Sequence, residues 1–197
     1  MKINVSAGFC AREHRQAAGL FWNAFADKLH TVMGPQHKAL AFLERTLDPA
    51  YALVARDASG QMQGLAGFKT TDGGFANGSL SDLAEIYGWP GAFWRALVLS
   101  FLERNVQPGV FQMDGICVAP QARGKGVGTA LLAAIKTEAR RQGMSQVHLD
   151  VIDTNPRARA LYEREGFYAL RHEKTGPLKY LFGFKGSTRM SWAVEPA

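Results

Sequence analysis

Residues 110–129, with the sequence VFQMDGICVAPQARGKGVGT, are the stretch most informative about the fold. The first half is mostly apolar and predicts a β-strand over 110–120, in which Gly115 indicates a bulge or a close backbone approach, because glycine weakens a regular strand. The second half is a glycine loop, residues 123–129, that leads into a helix. Backbone N–H groups at a helix start point outward and favour an anion, so the loop is predicted to hold a pyrophosphate. The alternative is a glycine-rich turn without a ligand.

The chain before this stretch predicts two helices and a hairpin. Residues at three- and four-residue spacing indicate a first amphipathic helix that ends at Gly34-Pro35, and a second that ends at Asp48-Pro49. The spacing set of the first helix is Leu20, Phe21, Ala24, Phe25, Lys28, Leu29 and Val32. Two strands, Tyr51–Arg56 and Gly64–Thr70, follow as a hairpin with a polar turn.

The chain after this stretch predicts a further strand over 145–154 and a helix that Asn155 caps and Pro156 begins. A closing antiparallel pair is predicted at Tyr168–His172 and Thr188–Val194, with a long loop between its strands. Strands and helices in this order predict an α/β domain with a mixed sheet. No repeat or linker divides the chain, so residues 1–197 are expected to form a single domain.

Composition narrows the class of protein. With 197 residues, 47% of them hydrophobic and 20% charged, the chain can bury one core and is too polar for a membrane protein. The net charge of +6 favours an anionic partner. Cys10 and Cys117 lack the spacing of a disulfide framework or a zinc site, and the scattered histidines form no ligand pair, so no metal is expected. The cysteine pattern favours a reducing cytoplasm, and the first residues do not resemble a signal peptide.

Spacing excludes two common phosphate-binding families. The GxxxxGK[ST] pattern of a P-loop is absent from the glycine loop. A dinucleotide fold would place its glycines after the first strand, whereas here they follow a hairpin and a third strand. Asp150 lies at a distance that would suit a ribose contact, but the order of elements before it is wrong for that fold.

The order of elements and two motifs resemble the GCN5-related N-acetyltransferase (GNAT) superfamily. Its phosphate motif, Arg/Gln-x-x-Gly-x-Gly/Ala, is matched by residues 123–128, after Val118-Ala119-Pro120. Its second signature resembles Asn155-x-x-Ala158-x-x-Leu161-Tyr162-x-x-x-Gly166-Phe167. The motifs span about 110–168, and the helices and hairpin before them are also similar to the family. Nothing of that kind matches 71–109.

The resemblance implies a fold and a co-substrate. The sheet would be mixed and mostly antiparallel, splayed between two parallel central strands and flanked by helices. Acetyl-CoA would lie in that gap, its pantetheine arm against the backbone of Ile116, Cys117 and Val118. Asn155 would also contact it. The pyrophosphate would bind a set of residues that share the glycine loop: Arg123, Gly124, Lys125, Gly126, Val127, Gly128 and Thr129.

The resemblance also implies the reaction, the transfer of an acetyl group from acetyl-CoA to a primary amine by direct attack in a ternary complex. The backbone N–H of Val118 is the family's candidate for polarising the thioester carbonyl. Tyr162 is the predicted proton donor to the departing thiolate, because a phenol is protonated at neutral pH.

Two carboxylates are candidates for the general base. Asp150 occupies the position where some relatives carry a catalytic glutamate, and Asp114 lies early in the third strand, where other branches carry an acidic base. His148 shares a strand face with Asp150, but residues two apart on a strand lie too far apart to ensure a direct pair. Ordinary hydrogen-bonded strand residues and deprotonation through water are the alternatives.

Two other classes of function compete with an enzyme. The first is a non-catalytic acyl-CoA sensor or interaction module, and the second is a basic RNA-binding domain. A group of arginines, Arg157, Arg159, Arg164 and Arg171, could bind nucleic acid, but no aromatic RNA-binding motif accompanies them, so no nucleic acid is expected. The expected partner is a small-molecule or peptide amine, without a membrane.

Residues 79–106 are predicted to form a helical insertion that breaks near 88–91. Its aromatic residues Tyr87, Trp89, Phe93, Trp94 and Phe101 are too many for a free surface helix, so the insertion is expected to be buried. It could roof the acceptor pocket, pack on the sheet or form the face of a homodimer.

Overall fold

The computed structural model describes residues 3–101 and 105–195, in which eight strands form one sheet flanked by helices. The strands are β1 (Asn4–Ala7), β2 (Ala52–Arg56), β3 (Met62–Thr70), β4 (Gly73–Gly74), β5 (Val110–Val118), β6 (Gln146–Ile152), β7 (Tyr168–Lys174) and β8 (Gly186–Ala193). The helices are α1 (His14–Met33), α2 (Gln36–Thr46), α3 (Leu80–Ser100), α4 (Val127–Arg141), α5 (Pro156–Arg164) and α6 (Lys179–Phe182). None of these helices is both long and apolar enough to span a membrane.

The sheet is mixed and splayed, as predicted. Its strand order is β1-β2-β3-β5-β6-β8-β7, with β4 pairing beside β3, and β5 and β6 are its parallel pair. That pair is short, because Val110–Gln112 lies opposite Gln146–His148 and the strands then separate. The gap between the later residues of β5 and β6 is the opening that the resemblance implied.

The bulge predicted at Gly115 is present in β5. The register with β3 shifts there, so that Gly115 lies opposite Gly67, Met113 lies opposite Phe68, and Asp114 has no partner across the ladder. A Cβ on Gly115 would clash with the Phe25 ring of α1, so a larger residue would have to displace that ring. The bulge therefore turns Asp114 out of the ladder beneath α1.

Two apolar clusters cover the two faces of the sheet. Helices α1 to α3 pack on one face, and α4 and α5 pack on the other. Along β6 the residues alternate, so Val147, Leu149 and Val151 are buried against α4 and α5. His148 and Asp150 are half-buried on the opposite face, which is the face that α1 partly covers.

The insertion forms α3, with Ser79 as its N-cap and a kink at Gly88, where φ is 71° and ψ is 160°. The kink is where the sequence predicted a break. The inner face packs on α1 and α2 rather than on the sheet. The expectation that its aromatic residues are buried is wrong for most of them, because Trp89, Phe93, Trp94 and Phe101 are 41–59% exposed. Residues 102–104 of the predicted insertion lie outside the described residues.

The sequence did not predict the strands β1 and β4, the helix α6 or the first residues of α1. The edge strand β1 is only four residues long and polar at two positions, which leaves little alternation to detect. Helix α1 starts at His14, six residues before its apolar spacing becomes regular. Helix α6 is a single turn within the long loop before β8.

Candidate active site

The glycine loop forms an open turn at the start of α4. Gly124 and Gly126 have positive φ values of 74° and 81°, which glycine adopts without strain. A Cβ at either position would meet no atom within 4 Å, so the space above the loop is free. The conformation that the sequence predicted is therefore present and is accessible to a ligand.

The N–H groups of this loop are largely unpaired. Within the described chain, the backbone N–H groups of Gly124, Gly126, Val127, Gly128 and Thr129 have no protein acceptor. Arg123 and Lys125 are exposed beside them and add positive charge. Donors at a helix N-terminus with two cations are the chemistry that binds a pyrophosphate, so these residues fit the phosphates of acetyl-CoA.

The edge of β5 offers further backbone donors to the gap. The Ala119 N–H donates to the Gln63 carbonyl of the hairpin at 2.9 Å, and N–H directions alternate along a strand. The N–H groups of Ile116 and Val118 therefore point away from β3 and into the gap. Cys117 lies opposite Leu65, and its backbone faces β3. Of the three residues predicted to pair with pantetheine, two present their backbone to the gap.

Tyr162 of α5 and Cys117 of β5 are both buried. Tyr162 is 7% exposed and packs on Phe167 of the same motif, with ring centroids 6.1 Å apart. Burial, and secondarily the Cys117 thiol, raise the pKa of Tyr162 well above that of a free phenol. Burial also raises the pKa of the Cys117 thiol. Both groups are therefore neutral at pH 7, and Tyr162 can donate a proton while Cys117 is a poor nucleophile.

Asp114 is a candidate base whose pKa is strongly perturbed. Its Oδ1 lies 3.9 Å from Lys69 Nζ, whereas Oδ2 is buried and has no hydrogen-bond partner among the described residues. Burial raises the pKa of Asp114 to about 6, against the opposing effects of Lys69 and the Ala76 backbone. A carboxylate with this pKa is ionised at pH 7 and is still basic enough to accept a proton.

Asp150, the other candidate base, is paired with an arginine. Both of its oxygens accept from the Arg189 guanidinium of β8, at 3.4 and 3.3 Å. The neighbouring His148 has its Nε2 2.7 Å from Gln146 Oε1. Burial lowers the pKa of His148, and the positive charge of Arg189 lowers it further. These contacts indicate an ion-paired strand residue rather than a free base.

Lys28 of α1 is a site residue that sequence reasoning missed. Its Nζ lies 5.1 Å from the centroid of the Phe25 ring, the ring that covers Gly115. Burial lowers the pKa of Lys28, while Cys117 and Asp150, from the two sides of the gap, act in the opposite direction. The signal was available, because Lys28 falls on the apolar spacing of its helix and a lysine there is directed inward.

A desolvated cation costs stability, so we expect Lys28→Met to raise the free energy of unfolding by about 1 kcal/mol. Methionine is unbranched and one atom shorter than lysine, so it removes the ammonium group and keeps most of the apolar stem. Urea unfolding at pH 7 measures the change. Lys179→Met is the matched control, because Lys179 is exposed and contacts the exposed Tyr180 ring. An equal or lower stability for Lys28→Met would show that the charge is fully compensated.

Asn155 caps α5 as predicted, since its side-chain oxygen accepts from the Ala158 N–H at 3.1 Å. That bond leaves the two amide hydrogens of Asn155 available for a ligand. Among residues 3–101 and 105–195, no three His, Cys, Asp or Glu side chains are grouped as metal ligands would be.

The comparisons with known proteins agree with this geometry. The model of the acetyltransferase (GNAT) family matches residues 20–167. Among solved structures, one described as an acetyltransferase is 20% identical, with 98% of this chain and 100% of that chain covered and a TM-score of 0.64. A GCN5-related N-acetyltransferase from Kribbella flavida is 17% identical, with 97% of each chain covered and a TM-score of 0.61.

The ribosomal-protein-S18-alanine N-acetyltransferase of Escherichia coli is 17% identical, with 100% of this chain and 96% of that chain covered and a TM-score of 0.57. At these identities the structures establish a shared fold. The family assignment depends on the match over residues 20–167, which contains both motifs and the splayed strands. The chain belongs to the acetyltransferase (GNAT) family.

Proposed function

We propose that the protein is an acetyl-CoA-dependent N-acetyltransferase that moves the acetyl group to a primary amine by direct attack in a ternary complex. The observation that carries the proposal is the open glycine loop, with five unpaired N–H groups, at the end of a splayed β5. The family to which the chain belongs generally catalyses N-acetylation, which supports this reaction. Both cysteines are free thiols, which suits a reducing cytoplasm.

The residues of the loop would hold the pyrophosphate, and the N–H group of Ile116 would pair with the pantetheine arm. Asn155 lies at the start of α5 and would contact the same ligand with its amide. The Val118 N–H points into the gap and would stabilise negative charge on the thioester oxygen. Acetyl-CoA supplies the activated acetyl group as a substrate.

The protein's own groups would move the protons. The amine nitrogen attacks the carbonyl carbon, a C–N bond forms, and the C–S bond breaks. Asp114 would take the proton that the amine loses, and Tyr162 would deliver one to the departing thiolate. Asp114 is the better base of the two candidates, because Asp150 is ion-paired through both oxygens, whereas Asp114 has a buried oxygen without a hydrogen bond.

A thiol-release assay over a panel of amines tests the proposal. CoA thiol should appear only when an amine is present, and mass spectrometry should detect the acetylated amine. A protein that binds acetyl-CoA tightly by calorimetry but releases no thiol with any amine would be the acyl-CoA sensor instead. A protein that does not bind acetyl-CoA would contradict both.

Removing a cation from the glycine loop should have a smaller effect, on the affinity for acetyl-CoA, that can be measured directly. We expect Lys125→Ala to raise the Kd for acetyl-CoA about fivefold at low salt, and less at 0.5 M salt, because exposed charges are screened. Lys174→Ala is the control, since Lys174 is an exposed lysine of β7 outside the loop. Equal Kd values for the two variants would remove Lys125 from the phosphate site.

A further inference from the structure

An apolar cavity of about 320 Å³ lies between α1, α2 and α3. Phe21 and Trp22 line it from α1, Phe42 from α2, and Leu83 and Ala96 from α3. Among the described residues that line it, Lys69 of β3 is the charged one. The cavity is therefore built partly by the insertion, for which the family motifs have no counterpart.

The cavity is partly open to the surface, so a ligand can enter it from solvent. Its volume of about 320 Å³ lies at the lower end of the range for ligand sites, which are mostly apolar with a few polar groups.

The polar end of the cavity lies at the proposed base. Lys69 and Ala76 line the cavity, and both interact with Asp114 on the bulge of β5. On the side of α1, Phe21 links the cavity to the bulge of β5. Its ring centroid lies 4.6 Å from that of Phe25, which covers Gly115. An amine delivered to Asp114 would therefore have the cavity beside it.

We propose that this cavity binds the apolar arm of the acceptor, so that the acceptors are primary amines with an aliphatic or aromatic substituent and no second charge. The inference depends on the proposed N-acetyltransferase function and adds the substrate class to it. An arm with a second ammonium group is excluded for two reasons. Burying that charge in an apolar lining is costly, and Lys69 would repel it.

The first test is a series of amines of increasing length with acetyl-CoA as the donor. From ethylamine to hexylamine, kcat/KM should rise about fourfold per methylene, which corresponds to about 0.8 kcal/mol for each CH₂ buried. Cadaverine, which has an ammonium in place of the terminal methyl of hexylamine, should be at least 50-fold poorer than hexylamine. A flat series, or a preference for cadaverine, would overturn the inference while leaving acetyl transfer intact.

The second test fills the cavity from α3. We expect Ala96→Phe to lower the ratio of kcat/KM for hexylamine to that for ethylamine at least tenfold, and Ala96→Leu to lower it by a smaller factor. Leu97→Phe is the matched control, because Leu97 is the next residue and is 64% exposed. That control should keep the wild-type ratio. If both positions changed the ratio equally, the cavity would not be the site.

Two further measurements separate the inference from its alternatives. If Ala96→Phe changes the selectivity between acetyl-CoA and hexanoyl-CoA rather than between amines, the cavity holds the acyl chain and the inference is wrong. Calorimetry of hexylamine with the CoA-loaded protein does not need turnover. Binding with a negative heat-capacity change that Ala96→Phe weakens would support the site even if no amine were acetylated, and absence of binding would contradict it.

Discussion

Tyr162→Phe is expected to lower kcat about 100-fold while the Kd for acetyl-CoA changes by less than about twofold. The substitution removes one hydroxyl and keeps the ring that packs on Phe167. Because burial keeps the phenol protonated far above neutral pH, the wild-type enzyme always holds the proton that the departing thiolate needs. Phenylalanine has no proton to give, so departure of the thiolate slows while the affinity for acetyl-CoA is unchanged.

The measurement is steady-state kcat with a saturating amine, together with calorimetry of acetyl-CoA. Tyr180→Phe is the matched control, because Tyr180 is 86% exposed on α6 and loses the same hydroxyl. Circular dichroism checks that both variants fold. If Tyr162→Phe retained full kcat, the residue would be an aromatic packing residue of α5, and the thiolate would take its proton from water.

The glycine loop and the bulge could be predicted because both are local. Alternating glycines between a strand and a helix specify positive φ values within a few residues, and the structure has them at Gly124 and Gly126. Gly115 indicated a bulge because glycine weakens a regular strand, and the structure has the register shift there, with the Phe25 ring close to Gly115. Strand order and the splay followed from the family resemblance, not from the pattern of the residues.

The acceptor side could not be predicted because it is assembled from distant segments. The cavity brings residues from α1, α2, β3 and α3 together, and no spacing along the chain records that contact. The aromatic residues of α3 illustrate the limit. Sequence indicated only that they are numerous, whereas the packing decides that Leu83 faces α1 and α2 and that Phe93 stays in solvent.

Asp114→Asn is expected to make the protein both less active and more stable. Wild-type Asp114 has a pKa of about 6 in the folded protein, above its ordinary value of 3.8. Between about pH 4 and pH 6 the folded state therefore binds more protons at this site than the unfolded state, so the free energy of unfolding falls as the pH rises. The loss is complete above pH 6 and reaches at most about 3 kcal/mol.

Asparagine has no charge to bury and should abolish this loss. We expect Asp114→Asn to have a higher free energy of unfolding than wild type at pH 8, and the two proteins to agree more closely at pH 4, by urea unfolding. Asp150→Asn should have the opposite sign at pH 8, because it weakens a pair with Arg189 whose side chain is only 14% exposed.

Activity should change in the other direction. A base must be ionised to accept a proton, so wild-type kcat/KM should rise with pH through an inflection near pH 6 and then level off. In Asp114→Asn, kcat should fall about 100-fold and the inflection near pH 6 should disappear. If the acidic inflection persisted in Asp114→Asn and disappeared in Asp150→Asn, Asp150 of β6 would be the base instead.

The combination of the two results is more informative than either alone. A merely structural carboxylate, removed from the core, would change stability without moving the pH profile. A base exposed to solvent would move the profile without changing stability. Removing a buried carboxylate that acts as the base should change both the stability and the pH profile. A gain of stability together with a loss of activity is the trade-off typical of catalytic groups.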